Sequence, residues 1–129
     1  MSWCRWSSEL ENGQNTSDLY IYDSVHDCIT VHVRGRRYSN YADAPPQPNY
    51  AIMQESIEKW MQMSKDHQDW LDKHGVWEPL PEAYAGKNYD FTELDELKDF
   101  LTQAQKDHIL FPEYVFEIVE EGLDNEQPV

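Results

Sequence analysis

Four residues of metal-ligand type stand near the start of the chain: Cys4, His26, Cys28 and His32. Thiolate and imidazole suit zinc, but the spacing works against a shared ion. Cys28 and His32 are four apart on a predicted strand, so they share a face yet lie about 13 Å apart along it, against ligand bonds of about 2 Å. No C-x-x-C or H-x-x-x-H pair joins two ligands, so no metal and no cofactor is expected, and packing is the expected role of Cys4 and Cys28. A nucleophilic Cys4 beside Arg5 would need a positioned base, which no motif supplies.

His67 and His74 share a predicted helix stripe but are separated by about 10 Å of helix rise. The expected role of such a histidine is to donate one hydrogen bond while its ring packs. No phosphate-cradling glycine loop, G-x-S-x-G elbow or H-E-x-x-H helix occurs, so no catalytic residue is assigned and a non-enzymatic role is expected.

Two charged groups carry more. Arg34, Arg36 and Arg37 form the one basic cluster, and with His32 they make a candidate clamp for a phosphate or carboxylate ligand by bidentate hydrogen bonds. The other reading of these arginines is internal pairing with some of the 25 acids. On the last predicted helix Glu113, Glu117, Glu120, Glu121 and Asp124 make a stripe opposite Val115, Ile118 and Val119, and no Lys or Arg follows Lys106. Like charges at i, i+4 repel, and acids in a last turn oppose the helix dipole. A face serving solubility alone would mix signs, so the stripe, with Asp95, Glu96 and Asp99 of the preceding helix, is the candidate contact surface for something basic.

These groups need elements to hold them. The chain has 129 residues, the size of one domain. Ile, Leu, Val and Phe supply only about a fifth of the residues, but 5 Trp and 8 Tyr bury large areas at low entropic cost and make a core possible. The expected class is α+β, with a small antiparallel N-terminal sheet packed on three C-terminal helices. Within one domain we expect a β-rich part over 1–42, a Pro-rich connector over 43–49, a helical part over 50–122 and a frayed tail over 123–129. Leu19–Tyr22 and Ile29–Val33 read as a hairpin across the polar stretch Asp23–Asp27, with Arg36–Tyr38 a third strand and Trp3–Trp6 an edge. Asn49 is the expected cap of a helix running to His74, with Met53, Ile57, Trp60, Trp70 and Leu71 on its apolar stripe. The hairpin's Ile29, Val31 and Val33 face is expected to pack on Trp60, Trp70 and Leu71. Val76–Asn88 reads as a loop, Asp90 and Glu93 as a capping box for the second helix, Pro112 as the first turn of the third, and Gly122 as its stop.

The formal net charge is −15, and it is uneven. Residues 1–50 carry a net −2 and residues 51–129 a net −13. A broad anionic protein is repelled by nucleic-acid phosphate and by anionic membranes, so direct binding to either is not expected and a basic protein partner is. No run approaches a membrane span and Met1–Ser8 has no apolar signal core, which predicts a cytoplasmic protein with two free thiols.

The opening Cys4-Arg5-Trp6-Ser7-Ser8, the hairpin Asp18-Leu19-Tyr20-Ile21-Tyr22 with Thr30-Val31-His32-Val33 and Arg36-Arg37, and the late Phe111-Pro112-Glu113-Tyr114-Val115 together resemble a family of small, uncharacterised bacteriophage proteins. Relatives often carry Cys where this chain has Ser17. The resemblance brings no catalytic residues. It implies a phage origin and action in the host cytoplasm, where small acidic phage proteins serve as inhibitors of host enzymes, DNA mimics and anti-CRISPR proteins. The expectation is an acidic interaction protein that blocks a basic surface of a host protein, such as a nucleic-acid-binding enzyme; the alternative is a ligand-binding or enzymatic module centred on the Arg-rich hairpin.

Overall fold

Period-2 alternation builds the central sheet. In β2 (Leu19–Asp23) Leu19 and Ile21 are fully buried while Tyr20 and Tyr22 sit on the opposite face. In β3 (Ile29–Val33) Ile29, Val31 and Val33 face the same way as Leu19 and Ile21, because the antiparallel register pairs Leu19 with Val33 and Ile21 with Val31. β1 (Ser2–Cys4) adds the edge beside β2, with a register shift between Ser2 and Cys4. The computed structural model describes residues 2–11, 13, 15–24 and 28–126. His26 and residues 127–129 of the expected tail lie outside them.

The fourth strand departs from expectation. β4 (Arg36–Tyr38) pairs with β5 (Trp77–Pro79) in a separate two-stranded sheet, and the second edge of the main sheet is β6 (Asn88–Phe91), antiparallel to β3. The stretch read as loop and cap therefore contains two strands. Asp90 is a strand residue that accepts from Thr30 Oγ1 at 2.7 Å, and the helix that follows is capped at Glu93 without a side-chain hydrogen bond. Only Tyr89 and Phe91 alternate inward on β6, too short a pattern to announce itself.

The chain forms two compact units. The first, residues 1–37 and 79–129, is the four-stranded antiparallel sheet with two helices, α3 (Leu94–Lys106) and α4 (Tyr114–Glu126). Leu97, Leu101 and Ala104 of α3 and Val115 and Val119 of α4 are completely shielded from solvent and share one apolar cluster with Leu19, Ile21, Val31 and Val33. The hairpin's apolar face thus packs against α3 and α4, not against the aromatic stripe of the earlier helix, whose Trp60, Trp70 and Leu71 belong to the other unit. α4 continues through Gly122 to Glu126. A Cβ at Gly122 would come within 2.6 Å of Leu94 Cδ1, so this glycine permits close helix approach and is not a stop.

The second unit, residues 38–78, has a 3-10 turn at Tyr41–Asp43, then α1 (Tyr50–Glu55) and α2 (Ile57–His74). Asn49 Oδ1 caps α1 by accepting from Ile52 N at 3.1 Å. The expected single helix breaks at Ser56, whose backbone is extended and whose Oγ accepts from Lys59 N at 3.3 Å; serine offers the backbone this alternative partner. His67 donates from Nδ1 to the Pro45 carbonyl at 2.7 Å while the Tyr41 ring meets it edge-on, so it packs with one hydrogen bond. His74 is exposed, and its ring lies against Trp70. Gly75 ends α2, where a Cβ would meet Tyr38 Cε1 at 2.5 Å. Among the described residues no helix is long and apolar enough to cross a membrane.

Candidate interaction face and the arginine cluster

Arg34 and Arg37 turn inward to a single acid. Asp18 is fully buried, with its carboxylate between the two guanidinium groups. Arg34 Nε donates to Oδ1 at 2.8 Å, its Nη2 lies 2.8 Å from the same oxygen, and Arg37 Nη1 donates to Oδ2 at 2.5 Å. Both arginines make further bonds: Arg34 Nη1 reaches Thr16 Oγ1 at 3.1 Å, and Arg37 Nη1 reaches the His108 carbonyl at 3.1 Å. His108 has a φ of 66°, a left-handed conformation uncommon outside glycine, in the turn that presents this carbonyl. Asp18 also takes the Leu110 amide on Oδ2 at 2.8 Å, and its own amide donates to the Leu110 carbonyl at 2.7 Å. The cluster therefore fastens the start of β2, the end of β3 and the segment between α3 and α4. The buried carboxylate thus has two cationic partners and a backbone amide, the pairing that a buried charge requires.

The arginines and His32 are not brought together. His32 Nε2 lies 3.0 Å from the Tyr22 hydroxyl and Nδ1 lies 2.5 Å from Asn88 Oδ1, on the sheet face turned away from α3 and α4. Tyr22, Tyr20 and Trp6 continue that face as an aromatic row with centroids 5.5–5.7 Å apart. Arg36 is exposed on β4. Both cysteines are free; Cys4 is 2 % exposed, 3.7 Å from Ser17 Oγ, and burial raises its thiol pKa, whereas Cys28 is partly exposed. Among the described residues no group of three or more His, Cys, Asp and Glu is placed to hold a metal ion.

All the acids singled out on the last two helices are exposed. Asp95, Glu96 and Asp99 lie on α3 and Glu117, Glu120, Glu121 and Asp124 on α4, with Glu113 just before it. At 100° per residue the α4 acids form a narrow stripe opposite Val115 and Val119. Sequence reasoning missed the partner of one of them. Lys98 Nζ on α3 pairs with Glu120 on α4, and this pair raises the Lys98 pKa through the hydrogen bond first and the charge second. Although no Lys or Arg follows Lys106 in the sequence, Glu120 thus has a basic neighbour on the preceding helix. The same pair shows that the Lys98 side of α3 and the acidic stripe of α4 adjoin. Glu96, about 160° around α3 from Lys98, lies at the far flank.

Glu11 adds to the acidic surface from outside the helices. Its carboxylate accepts from the Glu113 amide at 2.8 Å, placing negative charge at the positive end of the α4 dipole. A second acid near α3 is occupied: Asp107 accepts from the Tyr84 hydroxyl at 2.5 Å and from Gln103 Nε2 at 3.2 Å, which lower its pKa. Burial, then this hydrogen bond, pushes Tyr84 up to about 12. Comparison with protein-family models, with curated proteins and with solved structures returns no match.

Proposed function

We propose that this is an acidic interaction protein whose α3–α4 face docks on a basic groove of a host protein, in place of the nucleic acid that groove would hold. The observation that supports the reading most is the joining of the two acid rows across Lys98 and Glu120, which gives an exposed strip with one basic group at its seam. Carboxylates set along two rigid helices present acceptors to lysine and arginine as phosphates do, and such a surface speeds encounter with a positive groove. The alternative, a ligand clamp at the hairpin arginines, loses Arg34 and Arg37 to Asp18. In keeping with the phage resemblance, the partner class is a bacterial nucleic-acid-binding enzyme, blocked without chemistry.

The test is capture from bacterial lysate on the immobilised protein, with elution by added duplex DNA. The reading expects nucleic-acid-binding proteins that are released by DNA and by raised salt, and a large loss of capture when Glu113, Glu117, Glu120 and Glu121 are all changed to Gln. Capture that is unchanged in the Gln variant overturns it.

A further inference from the structure

At one end of the main sheet a cleft of about 410 Å³ opens between the strands and the two helices of the same unit, in residues separate from the acidic stripe. Its size falls at the lower end of the roughly 300–1,000 Å³ typical of small-molecule sites. The walls are apolar, from Trp3, Ile29, Phe91, Leu94 and Ile118. Gly122 keeps it open: with no Cβ there, Leu94 lies against the α4 backbone instead of being driven outward.

The rim is polar and pre-arranged. Trp3 Nε1 donates to Asp23 Oδ1 at 3.1 Å, and Cys28 Sγ stands 2.8 Å from Ser24 Oγ. Asp23 is the one charged side chain among the described lining residues, and the protein around it carries a net −15. An anion entering this cleft meets repulsion at both ranges. A cation with an apolar body meets a carboxylate, the aromatic side chains of Trp3 and Phe91, and an aliphatic wall.

We propose that this cleft binds a small primary amine, its ammonium group held by Asp23 and its apolar body laid against Phe91, Leu94 and Ile118. The experiment titrates the full chain with 2-phenylethylamine, 2-phenylethanol, phenylacetate and methylamine, following backbone amide shifts by NMR. The expected result is saturable shifts at Ser24, Cys28, Thr92 and Gly122 with the aromatic amine, binding about tenfold weaker for the alcohol, and none with phenylacetate. Methylamine, which has the charge without the body, should be weaker than 2-phenylethylamine as well. Asp23→Asn, a change at an exposed position, should bring amine and alcohol to equal affinity in a spectrum that otherwise matches the parent. Cys28 gives a second readout: the aromatic amine should slow its alkylation by iodoacetamide, while Cys4 is too buried to react. Equal binding of amine and alcohol to the parent, equal binding of the two amines, shifts confined to the acidic stripe, or no shift at all would each overturn the proposal.

Discussion

The protein holds charge in two opposite ways within one unit. At the start of β2 a fully buried carboxylate, Asp18, is enclosed by two arginines and two backbone contacts to Leu110, and every charge has a partner. On α3 and α4 a row of carboxylates stands in water, with Lys98 tied into it by its ion pair with Glu120. The same residue types thus do different work according to burial. In the first region, removing one partner strands a charge in a low-dielectric interior; in the second, water and salt screen each group and its removal costs the fold little.

The largest effect should come from breaking the buried cluster. Asp18→Ala should cost about 3–5 kcal/mol, because it leaves two part-buried guanidinium groups close together without the carboxylate they share. Chemical denaturation of the variant measures this, and a loss comparable with that of an exposed aspartate would refute the structural role. Next comes the apolar layer that both regions rest on: Leu101→Ala should cost about 2–5 kcal/mol, whereas Asp99→Ala, two residues earlier on the outer face, should be close to neutral.

The acidic face should show the reverse pattern. Changing Glu113, Glu117, Glu120 and Glu121 to Gln should leave stability within about 0.5 kcal/mol of the parent, the lost Lys98 contact being offset by relief of repulsion at i, i+4. Thermal unfolding checks this. Should that variant lose as much stability as Asp18→Ala, the two regions would not differ in kind.

The smallest expected effect lies at Tyr84 and Asp107. The Tyr84 pKa is raised to about 12, so its contribution is fully present below its ordinary value near 10 and is lost as pH climbs through about 12. Asp107 is lowered, so its contribution is present above the usual carboxylate value and is lost as pH falls through the lowered one. Tyr84→Phe should flatten the pH dependence of stability at both ends, measured by circular dichroism during denaturation in acid and in alkali. An unaltered profile would show that the pair contributes nothing.

What the sequence revealed follows the range of each interaction. The β2 and β3 alternation, the Leu97 and Leu101 stripe and the α4 division between Val115, Val119 and the acids are local patterns, and the structure contains them. β6 was hidden because four residues with two inward aromatics carry little periodicity. The helix break at Ser56 depends on one side-chain hydrogen bond. Amphipathic stripes say that a face is buried but not against what, which is why the sheet was matched to Trp60 and Trp70 instead of to α3 and α4. Asp18 sits 92 residues from the Leu110 amide it accepts, and Lys98 meets Glu120 only through helix packing; neither spacing is visible along the chain.

Arg34→Gln would damage the Asp18 cluster, so Arg36→Gln, at an exposed position, is the control for the binding experiment. The most direct test of the acidic face is the salt dependence of association with the captured basic partner, measured for the parent, the quadruple Gln variant and Arg36→Gln. The account predicts a steep fall of the parent's association rate as ionic strength is raised toward the regime where the screening length is below about 10 Å, a slower and flatter dependence for the Gln variant, and parent-like behaviour for Arg36→Gln. A quadruple variant that associates like the parent, with Arg36→Gln impaired, would contradict it.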